Sequence, residues 1–160
     1  MRLSLLRSPT WPDPEADRGD NRFDYALYPH HGNWKQALTV RHGYEFNYKL
    51  LATQVEAHTG TLRGAHSFVD IKEPNGVLTA VKKTEDSDAL LLRFYEWAGK
   101  NGEVHINVPS GATAAQLTNL MEQPEEKSLP LTSAGQIAVP VHPYEIVSVR
   151  VDYPHPNAHR

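Results

Sequence analysis

Cysteine is absent from this 160-residue chain, which excludes disulfide staples, thiolate nucleophiles and cysteine-ligated metals. That composition fits a reducing compartment, and the cytoplasm is the expected location. Long apolar runs are missing too. No stretch approaches the roughly 20 residues that a membrane-spanning helix requires, so no membrane contact is expected. The opening Met1-Arg2-Leu3-Ser4-Leu5-Leu6-Arg7-Ser8-Pro9 has the flavour of a signal peptide. Its apolar part is too short and no small-residue cleavage site follows, so alternating Leu3 and Leu5 read better as part of a strand. A basic stripe is also lacking. The formal charge is -3 and the longest basic run is Lys82-Lys83, which leaves no electrostatic case for nucleic acid.

Turn-forming residues are plentiful. Twelve prolines and ten glycines cut the chain into short apolar runs, and few segments could hold a helix of three turns. Arg2–Leu6 and Phe23–Tyr28 alternate apolar and polar residues and read as strands with one buried face. The prolines at 9, 12 and 14 make 8–22 a loop. Trp34–Tyr44 is a short helix candidate, 45–56 reads as extended chain, and Gly60–Gly64 reads as a boundary. Beyond it, strands are expected at Ser67–Ile71, Gly76–Lys83, Ala89–Trp97, Glu103–Val108, Gln136–Val141 and Tyr144–Val151. A turn at Glu73-Pro-Asn-Gly76 joins the first two, because Asn-Gly supplies positive φ readily. Ala112–Glu122 is ambiguous on its residues, where Ala-rich composition with Leu117, Leu120 and Met121 favours a helix by propensity. Hydrophobic content of 39% suffices for a core, and the spacing indicates an all-β antiparallel sandwich.

Candidate chemistry is sparse. Nine histidines invite a metal, but His30 and His31 are adjacent and would point to opposite faces of a strand. His155 and His159 have ligand-like spacing in a proline-containing tail. Without cysteine, a closed zinc site would need a cluster of His and carboxylates, so no metal site is expected. The loop Asp13, Glu15, Asp17, Asp20 places oxygens like a calcium loop. Arg18 occupies the position that needs glycine and no terminal bidentate Glu follows, so a solvated acidic loop is the better reading. Pro109-Ser110-Gly111 lacks the glycines of a nucleophile elbow. Glycoside hydrolysis needs two placed carboxylates, and none of the 19 acidic residues lies in a motif that points to a pocket. No catalytic residue is therefore assigned. Aromatic residues could stack on sugars, yet Tyr95 and Trp97 share a strand face and default to core. Trp11 and Trp34 stand in polar surroundings and are the better surface candidates.

Three blocks carry a family resemblance: Leu5-Leu-Arg-Ser-Pro-Thr-Trp-Pro-Asp-Pro14 followed by Tyr25-Ala-Leu-Tyr-Pro-His-His-Gly32; Val77 through Arg93-Phe-Tyr-Glu-Trp97; and Pro143-Tyr-Glu-Ile146 running into Val147–Val151. In this order they resemble the C-terminal region of glycoside hydrolase family 38, the α-mannosidases, over roughly Leu3 to Val151. The resemblance implies that 1–60 are terminal strands and loops of a large β-sandwich, 61–152 a small C-terminal sandwich, and 153–160 a tail. It also implies an extended conformation for Ala112–Glu122. The family's Asp nucleophile and divalent zinc-type ion belong to an α/β catalytic domain onto which no part of this chain maps, so the chain alone is expected to be inactive. Implied partners are that catalytic domain and mannose-containing glycans, with self-association through the first 60 residues as a further expectation. Loops of this region approach the sugar site or pack on the catalytic domain in the family, which makes Arg7 and Asp13 substrate-proximal or interface candidates. A plain pairing of Arg7 with a loop carboxylate accounts for it equally well. A self-standing carbohydrate-binding or protein-interaction module is the competing function.

Overall fold

The computed structural model describes residues 2–62 and 64–154. It divides into two compact units, residues 1–37 and 38–160. Among the described residues the second holds all the regular structure: α1 (Thr39–Asn47) and eight strands, β1 (Asp70–Ile71), β2 (Gly76–Lys83), β3 (Leu90–Glu96), β4 (Gly102–Asn107), β5 (Ala114–Thr118), β6 (Pro124–Ser128), β7 (Gln136–Val141) and β8 (Ile146–Asp152).

Two antiparallel sheets form, one of order β1-β4-β7 and one of order β2-β3-β8-β5-β6. Period-two alternation sends one set of side chains from each sheet inward. Leu92 and Phe94 of β3, Val147, Val149 and Val151 of β8, Val104 and Ile106 of β4, and Ile137, Val139 and Val141 of β7 make one buried cluster. This is the expected β-sandwich, and the apolar Leu90–Glu96 run is an interior strand of its five-stranded sheet, paired with β2 and β8. Tyr95 and Trp97 also pack as expected, but in a second, smaller cluster with Val77 and Ala98. The turn closing on β7 depends on Gly135, whose φ is 80° and whose missing Cβ would lie 2.6 Å from the Val108 carbonyl oxygen.

The helix starts later than the pattern suggested. Asn33 Oδ1 accepts the N–H groups of Lys35 and Gln36, and Gln36 Oε1 accepts the N–H of Asn33, as in a capping box. The turn so begun ends where Leu38 adopts the left-handed conformation at φ 52°, and helix resumes only at Thr39. Val40 and Tyr44, one turn apart, then pack on Val77, Trp97 and Ala98. That contact outweighs the cost of Gly43 inside the helix, about 1 kcal/mol.

Two expected strands do not form. Arg2–Leu6 and Phe23–Tyr28 have no ladder partner, and residues 2–37 include no buried side chain. Alternation alone cannot make a strand whose backbone lacks a neighbour. Conversely, β6 was not anticipated. Its Pro124-Glu-Glu-Lys-Ser128 is exposed throughout and pairs with β5 on one side only. The Ala112–Glu122 stretch is extended at its centre, as β5, because it is sandwiched between β8 and β6.

Candidate functional site

The four residues singled out from sequence all lie in the first unit. Ser8 Oγ donates to the Ala16 carbonyl at 2.7 Å, closing the proline-rich loop. Within it, Asp13 Oδ1 accepts the Glu15 N–H at 2.9 Å, a local turn that occupies this carboxylate internally. Glu15 in turn pairs with Arg18 at 2.7 Å. Arg7 and Trp11 flank or belong to this loop, and Trp11 is 83% exposed. Trp34 sits instead in the Asn33-capped turn, with the Lys35 ammonium 5.3 Å from its ring centre. Thus Trp11 and Asp13 share one loop and Trp34 belongs to another.

The better-formed concavity lies in the second unit, at residues that sequence reasoning passed over. A cleft of about 280 Å³ opens beside α1, β1 and β2, with Arg41, Tyr44, Glu45, Asp70, Glu73 and Gly76 among its walls. Helical spacing brings Arg41 and Glu45 to one side of α1, and Tyr44 with them. The bare Cα of Gly76 is needed here, because a Cβ would come within 2.8 Å of the Ile71 side chain.

Each acidic wall already has a basic neighbour. Asp70 Oδ2 accepts from Lys72 Nζ at 2.6 Å, and Glu45 Oε2 lies 2.9 Å from His42 Nδ1. Glu73 binds His105 twice, through the ring Nδ1 at 2.7 Å and the backbone N–H at 2.6 Å. His105 Nε2 lies 3.1 Å from Glu103. With a carboxylate on both ring nitrogens, the imidazole is best served as the doubly protonated cation. The Glu73 contact accordingly raises the His105 pKa, opposed by burial and aided by Glu103. Burial pushes the Glu73 carboxyl up, but its hydrogen bonds from His105 outweigh this and hold it below its ordinary value.

A second carboxylate is fully buried. Glu96 has no exposed surface and accepts hydrogen bonds from Asn75 Nδ2, the N–H groups of Ala98 and Gly99, and the N–H of Tyr144. Burial acts to raise its pKa, and these donors more than reverse the effect. Its role is architectural: it ties the turns at 73–76, 97–100 and 142–145 into one end of the sandwich. Trp97 reinforces that end by donating from Nε1 to the Pro74 carbonyl at 2.9 Å. The Tyr-Glu-Trp block therefore marks a fold-holding device. Among the described residues no group of three or more His, Cys, Asp or Glu side chains could hold a metal ion. The expected tail histidines His155 and His159 lie outside the described residues.

Residues 75–149 match the Glycosyl hydrolases family 38 C-terminal beta sandwich domain. This segment belongs to family 38. Its boundaries enclose β2 through most of β8, the strands that supply most of the inter-sheet core. Similarity to whole proteins runs further. Alpha-mannosidase 2C1 of Homo sapiens is 30% identical over 152 residues, covering 93% of this chain and 14% of that protein. An alpha-mannosidase of Saccharomyces cerevisiae is 30% identical over 175 residues, covering 94% of this chain and 16% of its own length. The chain thus spans about one-seventh of the curated relatives it matches and is homologous to their C-terminal portion. A solved family 38 protein from Enterococcus faecalis shares the fold, with a TM-score of 0.59 at 24% identity over 76% of this chain and 14% of that one. No helix among the described residues is long and apolar enough to cross a membrane.

Proposed function

We propose that this chain is the non-catalytic C-terminal part of an α-mannosidase, an enzyme that removes terminal α-linked mannose from glycans. In this reading the Asp nucleophile and a divalent zinc-type ion belong to a catalytic domain of the parent enzyme. The family 38 domain supports that domain, and Arg7, Trp11, Asp13 and Trp34 lie on loops that contact it or approach the sugar. The lack of cysteine favours the cytoplasm as its compartment.

One observation carries the structural side of the reading. Leu3, Leu5, Leu6, Phe23, Tyr25 and Leu27 are all exposed large apolar side chains, grouped in two alternating segments without strand neighbours. Such a surface is costly in water, and apolar patches of this kind mark contact sites. A sheet of the parent enzyme would pair these backbones and bury these faces together, and the catalytic portion is the partner the relatives suggest.

Two measurements test this. The purified 160-residue chain should not hydrolyse an aryl α-mannoside. An antibody raised against it should deplete aryl α-mannosidase activity from an extract of its source cells. Activity left wholly in the supernatant would overturn the reading in favour of a self-standing module.

A further inference from the structure

One turn of the sandwich is tied down from several sides and still leaves its apolar side chains in water. Residues 119–123 join β5 to β6, yet their anchors reach across the sheet to β3 and to its opposite edge, β2. Arg93 of β3 donates from Nε to Ser148 Oγ at 2.9 Å and from Nη2 to the Leu120 carbonyl at 3.0 Å. Glu122 Oε1 lies 2.7 Å from Lys82 Nζ of β2, and its Oε2 accepts the Glu85 N–H at 2.9 Å. Asn119 Oδ1 accepts the N–H groups of Met121 and Gln123. Glu122 itself stands at φ 64°, a left-handed conformation that is costly for a residue with a Cβ. Leu120 and Met121 are thereby held up in water, 61% and 78% exposed.

A rigid turn with two adjacent apolar tips is pre-ordered for insertion, because the entropy of fixing it is already lost on folding. An anionic membrane is disfavoured, since the exposed charges nearby in the chain and the contacts, Glu85, Glu125 and Glu126, are acidic. The complement is an apolar hollow with a cation at its rim. The sandwich carries one. A space of about 360 Å³ lies against Ala89, Leu90, Pro109 and Tyr153, with Lys83 and Asp88 completing its walls. Tyr153 donates its hydroxyl to the Pro109 carbonyl at 3.0 Å, so the ring is what the hollow offers. Lys83 pairs with Asp88 but stays largely exposed, and an ammonium has donors to spare. Turn and hollow flank the same 84–88 segment, the turn through Glu85 and the hollow through Asp88. A two-fold axis beside that segment sets each turn against the hollow of the other copy, a closed arrangement with both contacts made at once.

We propose that the 119–123 turn is a knob through which two copies of this chain pair, Leu120 and Met121 of each seated in the hollow at Leu90, Pro109 and Tyr153 of the other. An unbranched thioether adapts to such an irregular hollow. The pairing is non-covalent and stands apart from the α-mannosidase reading, since it uses this chain alone. Two side chains per copy make a small contact, so the dimer is weak, with a dissociation constant of about 100 µM.

The test is sedimentation equilibrium of the 160-residue chain, joined to methyl NMR at rising concentration. The methionines of the chain are Met1 and Met121, so the Met121 methyl gives a readily assigned signal. The expected result is a monomer–dimer equilibrium, a Met121 methyl shift that saturates with it, and intermolecular NOEs from that methyl to Tyr153 and Leu90 in a mixed-labelled sample. Met121→Lys should weaken the dimer at least about tenfold, and Leu120→Lys should act alike. Both side chains are exposed, so the sandwich amides should stay unshifted in either variant. Leu27→Lys should leave the dimer unchanged. A chain that remains monomeric to about 1 mM overturns the proposal. So does a dimer that survives both knob substitutions, or one lost with Leu27→Lys alone, which would place the contact in the first unit. NOEs from Met121 only to residues outside the hollow overturn the pairing even where a dimer forms.

Discussion

Residues 2–37 and the strands from Asp70 to Asp152 contain similar kinds of apolar side chain and treat them in opposite ways. In the sandwich, Leu92, Phe94, Val149 and Ile137 have no exposed surface. In the first unit Leu3, Leu27 and Trp11 remain in water, and nothing among residues 2–37 is buried. The difference is not hydrophobicity but the presence of neighbours. Each strand of the sandwich has a hydrogen-bonded partner, whereas Phe23–Tyr28 alternates with no strand beside it among the described residues. An apolar stripe is a half-statement about structure, and its complement must come from another element. The segment after α1 makes the same point, since Leu50 and Leu51 are 99% and 97% exposed.

The strongest way to break this comparison is to cut into both regions alike. Leu92→Ala should cost roughly 2–5 kcal/mol of unfolding free energy, because it empties a packed position between the sheets. Leu27→Ala should cost less than about 0.5 kcal/mol in the isolated chain, as at ordinary surface sites. Urea unfolding measures both, and equal losses would mean the first unit has a core of its own.

Glu96 sharpens the comparison from the polar side. Glu96→Gln keeps the shape, removes the charge and sets an amide N–H₂ against backbone donors, so a loss of about 2–3 kcal/mol is expected. Because its folded pKa is lowered from 4.5, its contribution is present above that value and disappears as pH falls through the lowered one. The acid limb of a stability profile should therefore flatten in Glu96→Gln.

How much of this was legible beforehand follows from the same distinction. The turn Glu73–Gly76 and strands β2, β3, β4 and β7 stand within one or two residues of the pattern, since each is short, apolar-rich and bounded by turn residues. β6 was invisible because an edge strand buries nothing and gains from charge, as Glu125, Glu126 and Lys127 show. The onset of α1 was missed because it turns on the backbone of Leu38, a conformation that a leucine rarely takes. The cleft was illegible for another reason. Arg41, Asp70 and Glu73 are commonplace residues, and only the packing of α1 near β1 and β2 brings them to one concavity. Trp11 and Asp13 were conspicuous in sequence and lie together in one loop, but no local feature of the chain says what that loop faces.

A milder probe concerns pH. His105 has its pKa raised from 6.5, so its link to Glu73 and Glu103 is fully present below that value and is lost as pH rises through the raised one. Glu73, with its pKa lowered from 4.5, loses its share as pH falls through the lowered value. The melting temperature should therefore decline on the alkaline side of His105 titration in the wild type and run flatter there in His105→Gln. An unchanged slope would show that β1 is held to β4 by its ladder bonds alone.

The smallest energy and the sharpest contrast come from hydrogen exchange. Local opening costs little where few apolar contacts and no ladder bonds hold the backbone. In a monomeric sample the amides of 2–28 should exchange near the rate of free chain, while those of Leu91, Phe94, Val104 and Val149 should be protected to the global unfolding limit. Replacing Leu3, Leu27 and Tyr25 together by Lys should leave that pattern unchanged. In concentrated wild-type samples, protection growing in 2–28 and abolished by the same triple change would identify self-association through the alternating faces. Protection already present in the monomer would mean that these segments find partners within the chain, and the case for a missing sheet of the parent enzyme would fall with it.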